Sequence, residues 1–433
     1  MCHQGYTKYQ LHVGQIGKLM KDTPIIIIGA GMCGVSTAIW LQRLGHAVIL
    51  IDKGLPGMGA SFGNAGLLAQ WAVAPVTSPT LWREASKYLM DPNSPLFMKW
   101  SYFPKLIPWL AKYLSHANDA ATRRIVSSQI PLVCDAVDQH KSLVRGTDLE
   151  HWVTDSKFSY AYRSKAHFDA DAYTWGLKKI AGFEPTVITG AEVQGCEPIL
   201  GPAIQCLAVL EGQGHILNPG QYIAELAKYF TKNGGKFIRA EVLDLHKKDG
   251  RISHIDTDKG SFECSHAVIT AGIWSKDLMK KLGLKVPLET ERGYHVVFEN
   301  PSEMPRNPMM ITSGKFGVNP MDMGLRCAGT VELGDHHAGP SDAPIRFLMK
   351  HAKEVFPNLT YSGTQEWMGF RPSTPDSLPL IGELGGSRIY TGFGHQHVGL
   401  TAGPKTGRLI AQLIDGHTPN IDMSPYAPAR YLG

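Results

Sequence analysis

The chain has 433 residues, too many for one simple core, so two intimately joined domains are expected. A hydrophobic fraction of 43% with 19% charged residues describes an ordinary globular protein and excludes a disordered or fibrous one. The formal charge of +5 is mild and no basic cluster of nucleic-acid type is present, so nucleic acid is excluded as a partner. Seven cysteines, odd in number, scattered and without a C-x-x-C pair, argue against a disulfide scaffold or a zinc site. They point to a reducing, cytoplasmic compartment, and no metal ligands are assigned.

The first 22 residues are polar and mixed and lack the apolar core of a signal peptide. Met20-Lys21-Asp22-Thr23 would be a natural beginning, so residues 1–19 are expected to be an appendage, absent from the native N-terminus or disordered. A bare apolar strand, Pro24 to Ile28, then runs straight into Gly29-Ala30-Gly31-Met32-Cys33-Gly34, and an apolar helix pattern follows. The next apolar run, Ala47 to Ile51, stops on Asp52. Strand, Gly-x-Gly-x-x-Gly, helix, strand and acid make a βαβ unit of dinucleotide-binding type. Gly29 permits the tight turn, Gly31 lets a pyrophosphate approach the backbone, and Gly34 lets helix and strand pack closely. The helix N-terminus offers N–H groups to phosphate, and Asp52 can accept from ribose hydroxyls.

Residues 53–67 are rich in Gly and small side chains and suit contact with a flat ligand, with Ser61, Asn64 and Gly66 just past the acid. The stretch from Trp71 to about Asn118 is aromatic and is divided by Pro104 and Pro108 into short pieces. Lys99, Lys105 and Lys112 among its aromatics would suit a peripheral membrane contact. Packing over the active site or between domains is the preferred reading. Residues 120–145 read as helical, and Trp152 to about Leu210 as short strands and polar turns. Asn218 would cap a helix through Phe230 that ends at Gly234-Gly235, and Lys236–Leu245 reads as one strand. Lys247-Lys248-Asp249-Gly250 reads as a hairpin turn. A buried strand runs from His266 into Ala271-Gly272. Strands near 294–298, 324–329 and 364–368 suggest a largely antiparallel second sheet. Arg388–Gly392 is a further strand, followed by a Gly/His loop and a helix over 402–413.

Several motifs occur in a telling order: Gly-x-Gly-x-x-Gly, Ser61-x-x-Asn64-Ala65-Gly66, Val268-Ile269-Thr270-Ala271-Gly272 and Arg292-Gly293-Tyr294. They continue with Gly369-Phe370-Arg371-Pro372-x-Thr374-Pro375-Asp376 and Gly392-x-Gly394-His395-x-x-x-Gly399-Leu400-Thr401. Together they resemble the FAD-dependent D-amino acid dehydrogenase branch of the D-amino acid oxidase/glycine oxidase/sarcosine oxidase superfamily, from Thr23 to about Gly416. The aromatic 71–118 segment fits the dehydrogenase branch better than the shorter oxidases.

The resemblance implies an α/β fold in which a Rossmann-like FAD-binding domain is interleaved with an α+β substrate domain built on a mainly antiparallel sheet. The FAD domain would comprise 23–70, 210–285 and 375–420, and the substrate domain 71–209 and 286–374. Residues 1–22 and 421–433 would be terminal extensions. FAD would touch Gly29, Gly31, Cys33, Gly34, Asp52 and Lys53, then Ser61, Asn64, Ala65, Gly66 and Leu67. Further contacts would come from Val242 (to adenine, through its backbone), Ala271, Gly272 and Trp274. Gly394, Gly399, Leu400 and Thr401 would approach the flavin ring, where a helix N-terminus could stabilise negative charge. The covalent-flavin oxidases carry an attachment cysteine toward the C-terminus; none follows Cys327 here, so the FAD is expected to be non-covalent.

Oxidising an amino acid by flavin needs a carboxylate anchor, a Cα–H aimed at flavin N5 and a neutral amine. Arg371 is the expected anchor, because its planar fork binds both oxygens; the alternative is a structural pairing with Asp376 or Glu366. Tyr294 would hydrogen-bond the same carboxylate, or else pack in the core. His395 and His397, in the loop beside the flavin, would orient the amine or take its proton, or would be satisfied by backbone. The implied reaction is oxidative deamination of a D-amino acid or a related cyclic or N-methyl amino acid, with electrons passed to a quinone or carrier. A glycine/sarcosine-type oxidase using O2, a demethylating dehydrogenase and a subunit of a heteromeric complex stay open, as does oligomerisation. The expected location is the cytoplasm or the inner membrane face.

Overall fold

The structure, a computed structural model, describes residues 23–81 and 95–431. The arm 1–22, and Trp82 and Tyr88 of the aromatic stretch, lie outside the described residues. Strand Ile25–Ile28 is buried at every position between two parallel neighbours, Val48–Asp52 and His266–Ile269. A strand covered on both faces has no polar side to show, which is why this run is bare isoleucine. The sheet continues through Lys236–Arg239 on one side and Ile389–Phe393 then Leu380–Glu383 on the other, with only the last strand antiparallel. Ile25, Ile27, Val48 and Leu50 point into a core shared with the helices Met32–Arg43, Pro219–Lys232 and Gly399–Ile414. Ile26, Ile28 and Ile51 point the other way, against Leu245, Ile252 and Ile255 of a three-stranded antiparallel sheet, Val242–Lys248, Arg251–Thr257 and Gly260–Glu263.

A ten-stranded sheet carries the rest, running from Gly363–Ser373 through Glu289–Glu299 and Gly324–Leu333 to Val153–Tyr162, Cys206–Ile216 and Leu67–Leu68. It is antiparallel except where Met309–Ile311 meets Val153–Tyr162 and Leu96–Met98 meets Gly324–Leu333. Helix Asp342–Val355 packs Ile345, Leu348, Ala352 and Val355 onto it.

Several local expectations are met: Asn218 Oδ1 accepts from Gln221 N–H at 3.1 Å and starts its helix, and Asp249 and Gly250 take positive φ in the 247–250 turn. Others are corrected. Lys236–Leu245 is two strands in two sheets, because the chain leaves the parallel sheet at Ala240 with no Gly or Pro to mark the exit. The polar stretch after Tyr162 contains helices Lys165–Ala170 and Ala172–Ile180. Strands Cys206–Ile216 and Leu67–Leu68 belong to the ten-stranded sheet, so the boundary expected at 210 falls inside a strand. Pro104 and Pro108 do not fragment their segment. Phe103–Ser115 is a continuous helix, Pro104 sitting in the first turn where no donor is needed, and Leu106, Trp109 and Tyr113 face inward. Its outer side exposes Ile107, and Trp100 is exposed just before it. No described helix is long and apolar enough to cross a membrane.

Helices Met32–Arg43 and Gly399–Ile414 approach very closely. A Cβ on Gly403 would lie 2.5 Å from Met32 Cγ, and one on Gly407 2.5 Å from Thr37 N. Pro404 lies within the second helix and cannot donate to Leu400 O; His140 Nε2–H donates to that carbonyl instead, at 3.0 Å. Gly407→Ala is therefore expected to destabilise the protein by about 1–3 kcal/mol, the usual range for overpacking. A urea-denaturation midpoint equal to that of the parent would show that the two helices have room to spare.

Candidate active site

A cleft of about 690 Å³ lies at the C-terminal ends of the parallel strands, within the size range of about 300–1,000 Å³ usual for ligand sites. Ile28-Gly29, Ile51-Asp52, Thr270-Ala271 and Gly392-Phe393 reach it from four strands. Two helices of twelve and sixteen residues begin at it, Met32–Arg43 and Gly399–Ile414, so two positive dipole ends point into the same space.

The first helix has Gly31 at its cap, with no side chain to satisfy the turn. Ser61 Oγ, from the remote loop, accepts from Met32 N–H at 3.3 Å. The following N–H groups of that turn have no intrahelical acceptor and are suited to an anion. A Cβ on Gly31 would meet only Ser61 Oγ, at 3.5 Å, and one on Gly59 or Gly272 would meet nothing, so the backbone borders open space at all three. Asp52 orders the neighbouring turns: its two oxygens accept from Ala30 N–H and Gly54 N–H, both at 2.7 Å. Lys53 Nζ lies 4.3 Å from the centre of the Trp274 ring. Val242, Glu241 and Ala240 close this end. An extended anion-bearing cofactor such as FAD fits these features.

The Gly-rich loop is held rigidly by the ten-stranded sheet. Buried Arg326 donates to Phe62 O and Asn64 O at 3.0 and 2.7 Å, Asn319 Nδ2 donates to Ala65 O at 2.9 Å, and His295 Nδ1 lies 3.1 Å from Gly63 O. Asn64 Oδ1 accepts from Gly66 N–H at 2.9 Å and so shapes the loop. Thr401 Oγ1 donates to Leu67 O and accepts from Ala69 N–H, tying the loop to the second helix N-terminus.

Of the residues expected at the cofactor, Gly29, Gly31, Cys33, Asp52, Lys53, Ser61, Asn64, Ala65, Leu67, Val242, Ala271, Gly272, Trp274, Gly399, Leu400 and Thr401 line the cleft. Three others do not, for steric reasons. A Cβ on Gly34 would lie 1.8 Å from Gly29 O, so it serves helix–strand packing; Gly66 (φ +74°) abuts Asn319, and Gly394 (φ +89°) abuts Thr374.

At the far end the cleft is lined by Arg371, Glu291, Trp367, His395, Gln396 and His397. Arg371 is half-buried in strand Gly363–Ser373, its guanidinium lying over Gly293, where a Cβ would be 2.6 Å from Cζ. Its single hydrogen bond among the described residues is a long one, 3.5 Å to Thr330 O, which leaves most of the fork for a ligand. Neither acid anticipated as a structural partner is there: Asp376 pairs with Arg430 at 2.8 Å, and Glu366 is exposed. The acid beside Arg371 is Glu291, opposite it in the ladder. Burial raises the Glu291 pKa despite the opposing pull of Arg371, and burial lowers that of Arg371.

Tyr294 is a correction. It packs in the core on the other face of its strand, donates to Glu332 Oε2 at 2.6 Å and accepts from Ser341 N–H at 3.1 Å. Arg292 pairs with the same Glu332 at 3.1 Å, so the Arg-Gly-Tyr motif builds a buried structural network. His395 sits beneath the cleft, 2.8 Å from Thr406 Oγ1, and burial lowers its pKa to about 4. His397 opens toward the cleft. The protein mass behind it and then Arg371 push its pKa down to about 4, a depression that solvent in the cleft weakens. Gln396 takes φ +50° and donates to Thr374 O at 3.0 Å, a strained position that sets the two histidines on different sides.

Trp367 and Glu291 are among the lining residues that escape the sequence reading. Trp367 occupies space that Cβ atoms on Gly63 and Gly369 would fill, 1.8 and 1.9 Å from its ring, and this reciprocal Gly–Trp packing is the signal that could have found it. Glu291 gives none.

The profile of the family described as FAD dependent oxidoreductase matches residues 24–413. A protein named D-amino-acid oxidase from Bradyrhizobium diazoefficiens is 39% identical over 94% of this chain and 99% of its own length. One named D-amino acid dehydrogenase from Vibrio atlanticus is 26% identical over 94% of this chain and all of its own length. The crystal structure of glycine oxidase from Geobacillus kaustophilus superposes with a TM-score of 0.74, covering 95% of this chain and 99% of that one at 20% identity, a likeness of fold.

Buried histidines around the site link stability to pH. Burial depresses His140 and His395 to about 4 and His295 to about 3, whereas the unfolded chain titrates near the usual 6.5. Between those values the unfolded state binds more protons, so stability is full above about pH 6.5 and falls as pH drops toward 4. Denaturation midpoints measured from pH 7 to 4.5 are expected to decline, and His140→Gln to flatten that decline. A flat profile in the parent would contradict the assignment.

Proposed function

The chain belongs to the FAD dependent oxidoreductase family, and from that premise we propose that it oxidises a D-amino acid, or a related cyclic or N-methyl amino acid, at Cα. FAD, held without a covalent bond, supplies the hydride acceptor. The observation that carries the proposal is the Arg371 guanidinium, its fork largely unengaged, with the buried Glu291 opposite it in the ladder, at one end of a cleft whose other end suits a dinucleotide. The Arg371 fork takes the substrate carboxylate through two parallel charge-assisted bonds. Glu291 accepts from the α-ammonium beside it, and its raised pKa fits it to take the proton that the amine must lose before oxidation. Trp367 and Phe370 wall the site against water. On this reading the cofactor belongs to the unit built on the six-stranded sheet and the substrate to the ten-stranded one. Asp52, with lone pairs remaining beyond its two backbone bonds, holds the ribose.

We assign electron delivery to a quinone or carrier, with the exposed Trp100 and Ile107 as the surface that would meet a membrane-borne acceptor. The 39% identical relative named an oxidase favours a second reading, in which O2 is the acceptor and hydrogen peroxide the product. Anaerobic mixing of the flavoprotein with D-, N-methyl and cyclic amino acids, followed by admission of O2 or a dye acceptor, tests both readings. Flavin bleaching by a D-amino acid is expected; no bleaching by any member of the panel would refute the proposal.

Arg371→Ala should weaken substrate binding by about 2–5 kcal/mol, the cost of truncating a buried charge pair. An unchanged KM would remove Arg371 from the site. Glu291→Gln should lower kcat/KM by about 10²-fold or more and abolish its acidic limb, with FAD content unaltered. A parent-like pH profile would leave Glu291 with only a packing role.

A further inference from the structure

Outside the cleft, two groups of described residues place His and Asp donor atoms within 4.8 Å of one another. Asp335, His336 and His337 are consecutive in a loop, and Asp335 Oδ1 is already occupied by His337 N–H at 2.9 Å. His246, His254 and Asp256 are different, because a sheet builds them. His246 and His254 stand directly opposite on adjacent antiparallel strands, their rings stacked at 4.5 Å and 10°. Asp256, two residues further on and on the same face, brings Oδ2 to 2.8 Å from His246 Nε2.

The surroundings fix how these donors point. The register shifts between Ile252 and His254, and the bulge places the Ser253 hydroxyl between the two histidines. That hydroxyl donates its one proton to His246 O at 3.0 Å, so in its 3.0 Å contact with His254 Nδ1 it must accept. His254 therefore carries its proton on Nδ1 and presents the Nε2 lone pair outward, the arrangement that outer hydrogen bonds impose on metal-ligating imidazoles. Ser261 Oγ donates to Asp256 Oδ1 and leaves Oδ2 toward His246. Opposite the trio in the ladder lie Asp244 and Glu263, which make this face acidic. Leu245, Ile252 and Ile255 point into the core, so the trio is on the outer face, with the His246 and Asp256 side chains 39% and 38% exposed.

We propose that His246, His254 and Asp256 form a binding site for a divalent transition cation, Zn2+ in the first instance. Two imidazoles and a carboxylate suit Zn2+ and Cu2+ and leave positions for water. The cation takes the place of the His246–Asp256 hydrogen bond and clasps two strands, the first of which starts at Val242 in the cleft wall.

The test is calorimetric titration of chelator-treated, FAD-loaded, untagged protein with Zn2+, with flavin absorbance as the check on folding. One equivalent should bind and raise Tm. His246→Ala and His254→Ala should each lower the affinity at least tenfold, and Ser253→Ala about tenfold through the lost orientation. The double variant His336→Ala/His337→Ala should bind as the parent does. With Cu2+ in place of Zn2+, the EPR spectrum should show two nitrogen ligands. No uptake by the parent, uptake that survives His246→Ala/His254→Ala, or uptake lost with His336→Ala/His337→Ala would overturn the proposal.

Discussion

The close approach of helices Met32–Arg43 and Gly399–Ile414 governs the geometry of this protein. Gly403 and Gly407 let the second helix lie directly on Met32, Ser36 and Thr37 of the first, and Gly34 lets the first lie on the turn at Gly29. With both helices seated, their N-termini open into one cleft although some 370 residues separate them in sequence. A macrodipole contributes about half a positive charge at each N-terminus. The pair therefore prepares two sites for negative charge before any ligand arrives, and the proposed function gives one to phosphate and the other to the flavin ring.

The ten-stranded sheet supplies the opposite wall, and strand alternation decides what that wall presents. In Glu289–Glu299 the Glu291 side chain and the bare backbone of Gly293 face the cleft, while Arg292 and Tyr294 face the core and join Glu332. Gly293 is small so that the Arg371 guanidinium can lie across it. The same sheet holds the Gly-rich loop through Arg326, Asn319 and His295, so the two halves of the cleft are set by one rigid body of hydrogen bonds. The price of that rigidity is several ionisable groups buried at the site.

What can be read from the sequence is local. Strand, glycine turn, helix and acid follow one another within thirty residues, and each has a backbone reason to be there, so the dinucleotide half is legible in the residues alone. Asn218 as a cap and Asp249-Gly250 as a turn are legible for the same reason. The substrate half depends on which face of a strand each residue takes, and Glu289–Phe298 is buried on both faces, so no polar/apolar contrast marks the side that meets the cleft. Pattern alone thus misplaces Tyr294 and passes over Glu291, although the two are three residues apart. Helix Phe103–Ser115 is hidden because Pro104 sits in its first turn, where proline does no harm, and because tertiary packing of Leu106, Trp109 and Tyr113 outweighs the single interior Pro108.

On the proposed function, one cleft seats FAD between two helix N-termini with the Arg371 guanidinium facing the reacting end. A crystal structure of the protein grown with FAD and an unreactive carboxylate tests it most directly. Pyrophosphate is expected at the first turn of Met32–Arg43, the flavin ring at Gly399–Thr401, and the carboxylate bound by both arms of Arg371. A flavin lodged elsewhere, or a carboxylate held away from Arg371, would contradict it.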